Sequence, residues 1–182
     1  LIEKKDYKNA KKIIRKHIKL NPALLTFQVD LGHIIALQGD VSKADKQYQK
    51  TINALTGNEQ EITELANAFI NKKLISLAIA TLEKGEKLIH NPYAYNVTLA
   101  DIYNKTGDKT NMLNQYLELL NGGSEFVSVV QLSLQTILAE EGNNKEFQKL
   151  LHDTFLKQTQ QHPDKTIFSE MLLWLSIQQK NF

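Results

Sequence analysis

The side chains best suited to chemistry at neutral pH are five histidines: His17, His33, His90, His152 and His162. A zinc site gathers three or four such ligands at short spacing, and the chain has neither an HExxH sequence nor a His/Asp/Glu cluster at ligand spacing. His152-Asp153 is the one adjacent pair, and successive residues of a helix point to different sides. There is no Cys, which excludes a thiolate zinc site, a cysteine nucleophile and a disulfide framework but selects no compartment. Ser and Thr are numerous, yet no G-x-S-x-G elbow presents one as a nucleophile. Gly122-Gly123-Ser124 lacks the preceding strand and the Lys-Ser/Thr pair of a phosphate loop, and reads as a connection between helices. Glu59/Glu61 and Glu140-Glu141 read as polar helix faces or ends. The sequence therefore predicts no catalytic residue, no cofactor and no metal.

Charge is the other possible source of function. Lys+Arg 22 against Asp+Glu 20 gives +2, too balanced for a general nucleic-acid or membrane footprint. The balance is uneven along the chain. Residues 1–20 hold eight basic residues against Glu3 and Asp6, or +6, leaving 14 − 18 = −4 for the rest. A basic helix of this kind suits nucleic acid or an anionic membrane surface. Its apolar stripe (Tyr7, Ala10, Ile14, Ile18) nevertheless has the register of a packed helix. The main reading is a solvated outer face complementing the acidic remainder, with nucleic-acid binding kept as an alternative. No run of 18 apolar residues exists to span a membrane.

What must position any of these groups is a repeat of 34 residues. Ala10, Ala44 and Ala78 stand 34 apart, with Met112 one step further. Leu31, Leu65 and Leu99 share the step, as do the small residues Gly32, Ala66 and Ala100 and the large residues Ile35, Phe69 and Tyr103. Ile14, Tyr48, Leu82 and Tyr116 complete the series, and Gly39-Asp40 recurs as Gly107-Asp108. Later steps stretch, to Gly142-Asn143 and Lys180-Asn181. Between these markers apolar residues recur at three- and four-residue steps, the helical period. Gly39 suits the left-handed residue that ends a helix, and Asp40 or Ser42 suits the cap of the next. Asn21-Pro22, Asn91-Pro92 and His162-Pro163 mark the turns between units. The pattern predicts ten helices, near 6–20, 24–38, 42–55, 59–72, 75–90, 93–106, 109–121, 125–141, 144–161 and 165–180. Gly32, Ala66 and Ala100 are expected where paired helices cross, opposite Ala10, Ala44 and Ala78, because small residues let two backbones approach closely.

These residues resemble the tetratricopeptide repeat family, in the style of bacterial repeat proteins. Leu31-Gly32, Ile35, Gly39-Asp40, Ala44 and Tyr48 match its pattern, as do Leu99-Ala100, Tyr103, Gly107-Asp108 and Tyr116. Leu65-Ala66, Phe69 and Ala78 match too, but Lys73-Leu74 replaces Gly-Asp, Met112 replaces a small residue, and Phe147 stands where Ala is expected. The resemblance covers nearly the whole chain and is weakest over 121–182. It implies an all-α, right-handed superhelical solenoid of antiparallel helix-turn-helix repeats. Residues 1–24 would be the second helix of a truncated repeat, 25–58, 59–92 and 93–126 full repeats, 127–163 a divergent repeat, and 164–182 the first helix of a further truncated one. More repeats are expected on both sides.

The resemblance also implies a function. First helices of such arrays line a concave face that binds a peptide or partner segment. By register that face carries Thr26, Asp30, His33 and Leu37, then Thr63, Glu64, Asn67 and Asn71, then Thr98, Asp101, Asn104 and Lys105, then Leu132, Thr136 and Glu140. The partner-binding set is expected at His33, Asn67, Asn71, Asp101, Asn104 and Lys105, in a non-enzymatic interaction scaffold. The basic clamp of chaperone-binding members is absent, since Val29, His33, Glu64, Ala94 and Thr98 hold the matching places. The rival expectation is a spacer or assembly arm acting through its ends or convex face. Trp174, in the apolar stretch 171–177, would then be part of a contact.

Overall fold

The computed structural model describes residues 6–178, which form ten α-helices and, among the described residues, no strand. They are α1 (Tyr7–Leu20), α2 (Thr26–Leu37), α3 (Val41–Asn53), α4 (Glu59–Asn71), α5 (Ile75–Ile89), α6 (Asn96–Lys105), α7 (Lys109–Gly122), α8 (Val127–Glu141), α9 (Lys145–Gln161) and α10 (Thr166–Gln178). Leu1–Lys5 and Lys180-Asn181-Phe182, where truncated repeats are expected, lie outside the described residues. The chain divides into two compact units, Leu1–Tyr95 and Asn96–Phe182. In the first, α2 packs on α3 and α4 on α5, with α1 against α2. In the second, α6 packs on α7 and α9 on α10.

Capping residues begin the helices where the sequence places them. Asp6, Asp40 and Asp108 accept from the backbone N–H of Asn9, Lys43 and Asn111 at 3.2, 3.1 and 3.0 Å, satisfying donors that the first helical turn leaves unpaired. Asn58 does the same for α4 at 2.9 Å. For α9 the cap is Asn144, one residue beyond the expected marker, accepting from Phe147 at 3.1 Å. The short turns share one backbone shape. Gly39 and Gly107 have φ of 90° and 81°, and Lys73 takes φ 60° at the matching place. Helix α6 starts at Asn96, later than expected, because side chains hold the preceding turn: Asn91 Oδ1 accepts from Tyr93 N at 3.0 Å and Glu86 from Tyr95 N at 3.4 Å. A 3-10 turn, Ser124–Phe126, precedes α8.

The small residues lie at helix contacts. Ala10, Gly32, Ala44, Ala66, Ala78 and Ala100 are all buried. A Cβ on Gly32 would fall 2.3 Å from Tyr48 Cε1, so ring and backbone already touch. Tyr48 then meets Phe69 edge-on, ring centroids 5.6 Å apart, joining α3 to α4. Gly85, outside the repeat pattern, plays a second such part: its Cβ would sit 2.6 Å from Ile62 Cγ2. The later helices differ. Counted from the Gly142 turn, exposed Gln135 and buried Phe147 stand at the places held earlier by small residues, and α8 and α9 do not close together as the earlier pairs do.

Candidate partner-binding surface

Helices α2 and α4 each turn one face to the core. Val29, Leu31, Gly32, Ile34 and Ile35 are buried from α2, and Ile62, Leu65, Ala66 and Phe69 from α4. The helical period then directs Thr26 and Asp30, and Glu64, Asn67 and Asn71, to the opposite side. There they line one hollow of about 370 Å³ together with Ala68 and Lys72. A second hollow, of about 390 Å³, shares Thr26 and Glu64 with the first and extends it past Leu24 to Thr56 and Asn58. The two make a continuous channel along α2 and α4.

Its polar groups are partly committed. Lys72 Nζ lies 2.9 Å from Asp30 Oδ1, an ion pair tying the end of α4 to the middle of α2. Gln60 Nε2 donates to Glu64 Oε1 at 2.8 Å. Asn67 and Asn71 are exposed and make no side-chain hydrogen bond among the described residues, so both amides face solvent with donors and acceptors available. His33 is half-buried beside this pair. Burial holds its pKa below the usual histidine value, the Lys72 ammonium lowers it further, and Asp30 opposes both. Burial and Lys72 both favour the neutral ring.

The three expected site residues of the second unit are arranged differently. Lys105 and Asp101 pair with each other at 2.6 Å on an exposed helix face. Asn104 Oδ1 accepts from Lys109 Nζ at 2.6 Å. Lys109 also pairs with Glu141 and sits 4.9 Å from the centroid of the Phe147 ring, joining α6, α7, α8 and α9. The Lys109 ammonium and then the Asn144 amide hold the Glu141 carboxyl below the ordinary range. Asn104 thus belongs to an internal tie as much as to a surface.

Asn67 and Asn71 line the channel in the first unit, His33 lies near its Asp30–Lys72 pair without lining it, and Asp101, Asn104 and Lys105 cluster on α6 in the second. The sequence reading missed Lys72. Its signal was available: Lys72 and Lys73 are the only cations between Lys50 and Lys84, and Asp30 stands on a helix with no Lys or Arg. His152 Nδ1 and Asp153 Oδ1 approach to 3.5 Å, both exposed, so this neighbouring pair does meet at its edge. Among the described residues no three His, Asp or Glu side chains converge as a metal site would need, and no helix is long and apolar enough to cross a membrane. Neither a protein-family model nor a curated protein sequence matches the chain.

Proposed function

We propose that the chain is a non-enzymatic interaction scaffold of the tetratricopeptide repeat kind, its helix pairs continuing as a right-handed superhelical array. The reading draws support from the 34-residue recurrence of small residues and from their burial at helix contacts within each unit. The observation that carries the function is the channel along α2 and α4, open, polar, and lined by the unengaged amides of Asn67 and Asn71. Two amides 4 residues apart on one helix face lie about 6 Å apart along the axis. That spacing approximates the two-residue repeat of an extended strand, which rises about 3.3 Å per residue. The occupant is an extended partner segment whose backbone these amides bind.

The channel also favours a sign of charge. Helices α2 and α4 carry Asp30, Glu59, Glu61 and Glu64 and no Lys or Arg. Lys72 occupies Asp30, and Glu61 is engaged by Thr56 N and Oγ1, both at 3.0 Å, leaving Glu64, which accepts only from the neutral Gln60 amide, for a basic side chain of the partner.

Selection from a random peptide display library, followed by calorimetry on the winners, tests this. Enriched peptides should carry Lys or Arg and lose at least tenfold in affinity on the double variant N67A/N71A. Peptides that bind that variant as tightly as the parent would overturn the reading. The rival assembly-arm reading rests on Leu173 and Ile177, 64% and 51% exposed on α10, with Trp174 itself half-buried. Light scattering that shows a monomer at high concentration removes it.

A further inference from the structure

Within the first unit, charge is sorted by helix. Against the four acids and no Lys or Arg of α2 and α4, the second helices α1, α3 and α5 carry eleven cations and three acids, Asp45, Glu83 and Glu86. The asymmetry peaks on α1. Lys8, Lys12, Arg15, Lys16 and Lys19 fall within an arc of about 100° on the helical wheel, opposite the stripe of Ala10, Ile14 and Ile18. That stripe packs against α2, so the cationic arc points outward and lines a broad hollow of about 1090 Å³. None of the five makes an ion pair or hydrogen bond among the described residues, whereas Lys43, Lys72, Lys105 and Lys109 each hold a carboxylate. The pattern continues next door. Lys46 and Lys50 of α3 occupy the positions of Lys12 and Lys16 one repeat on, and Lys84 of α5 follows Lys50 by the same 34 residues. Lys84 donates to Asn53 Oδ1 at 3.0 Å, which aligns it with that face without neutralising it.

We propose that this face binds the phosphodiester backbone of a nucleic acid, without reading its sequence. Three features favour that polyanion. The first is charge density. Five cations over the 12-residue run from Lys8 to Lys19 span about 16 Å, or one per 3–4 Å, near the 3.4 Å per charge of a single nucleic-acid strand. The second is the fate of the apolar side chains. A helix that binds a bilayer sinks an apolar face into it, and the apolar stripe of α1 is already spent on α2. Only Ile13 and Leu20, at the border of the arc, remain exposed. The third is the set of polar neighbours. Asn9 lines the same hollow as these cations and Asn53 meets Lys84, amides that suit phosphate oxygens, while the His17 ring of α1 is already against Phe27, centroids 5.2 Å apart.

Fluorescence anisotropy with labelled oligo(dT), a mixed-sequence RNA strand and a DNA duplex, titrated with the whole chain across a salt series, decides the matter. Affinity should be similar for strands of different sequence. The slope of log K against log salt should approach about −3.5 for a single strand and about −4.5 for a duplex, if all five cations engage. The triple variant K12Q/K16Q/K19Q should weaken binding at least tenfold at low salt and flatten the slope, with circular dichroism unchanged. The control K145Q/K149Q, on α9, should leave both unaltered. No binding at low salt, or equal binding by the triple variant, overturns the proposal. So does co-sedimentation with phosphatidylserine vesicles in the absence of oligonucleotide binding, which would assign the face to a bilayer. Self-association abolished by the triple variant, again without oligonucleotide binding, would assign it to the acidic face of a second copy. The peptide selection on the α2–α4 channel is independent of every one of these outcomes.

Discussion

At the contact of α2 with α3, Gly32 lets the backbone meet the Tyr48 ring, with Ala44 buried beside it; at the corresponding places in α8 and α9 stand an exposed Gln135 and a buried Phe147. The first pair closes tightly, and the second does not. The early pairs bring their backbones together, whereas α9, with bulk at that place, packs on α10 instead. A shared period therefore guarantees helices and turns, while residue size at one position decides which helices pair.

Three changes break or sharpen that contrast. The largest effect should come from F147A. Truncating this buried ring leaves a cavity and removes the surface under Lys109, costing about 3–5 kcal/mol in urea denaturation. A cost under about 2 kcal/mol would mean that α8 and α9 can collapse to the spacing of the earlier pairs. The reciprocal change, G32A, adds a methyl where no space exists. It should cost about 1–3 kcal/mol by overpacking, offset by up to about 1 kcal/mol from the better helix propensity of Ala. A neutral result would show that Tyr48 swings away freely. The smallest effect is the pH response of His33. Because its folded-state pKa is lowered, the unfolded chain takes the proton first as the pH drops below the ordinary histidine range. Stability should decline through that window and be regained above it, and H33Q should flatten this part of a stability-versus-pH curve. An unchanged curve would place His33 in solvent.

Much of this was legible beforehand. The Asp40 and Asp108 caps, the left-handed Gly39 and Gly107, and the burial of Gly32, Ala44, Ala66 and Ala78 follow from local chemistry and a fixed period. What escaped depends on reach between helices. The isolation of the Lys72-Lys73 pair among cations marks Lys72 as unusual without saying that it crosses to Asp30, and nothing near Asn104 announces that Lys109 claims its oxygen. Gly85 was invisible for a related reason: its neighbours Ile62 and Tyr95 are brought to it by the fold, and the 34-residue pattern does not mark it. The later α6 start likewise depended on side chains of the turn, from Asn91 and Glu86.

The turn between α4 and α5 has a consequence of its own. Lys73 holds the same left-handed backbone as Gly39 and Gly107, a conformation that strains an L-residue by roughly 1 kcal/mol or more, and Leu74 offers no side-chain cap to offset it. This hinge is bent by its surroundings: Phe69, Ala78 and Leu82 must already be docked before the corner is worth making. A hairpin packed as closely as α2–α3 and α6–α7 is thus the least self-sufficient of the three by local code. It acts as a cooperative joint, wound only while its neighbours stay seated, and it would be the first place to relax when they leave.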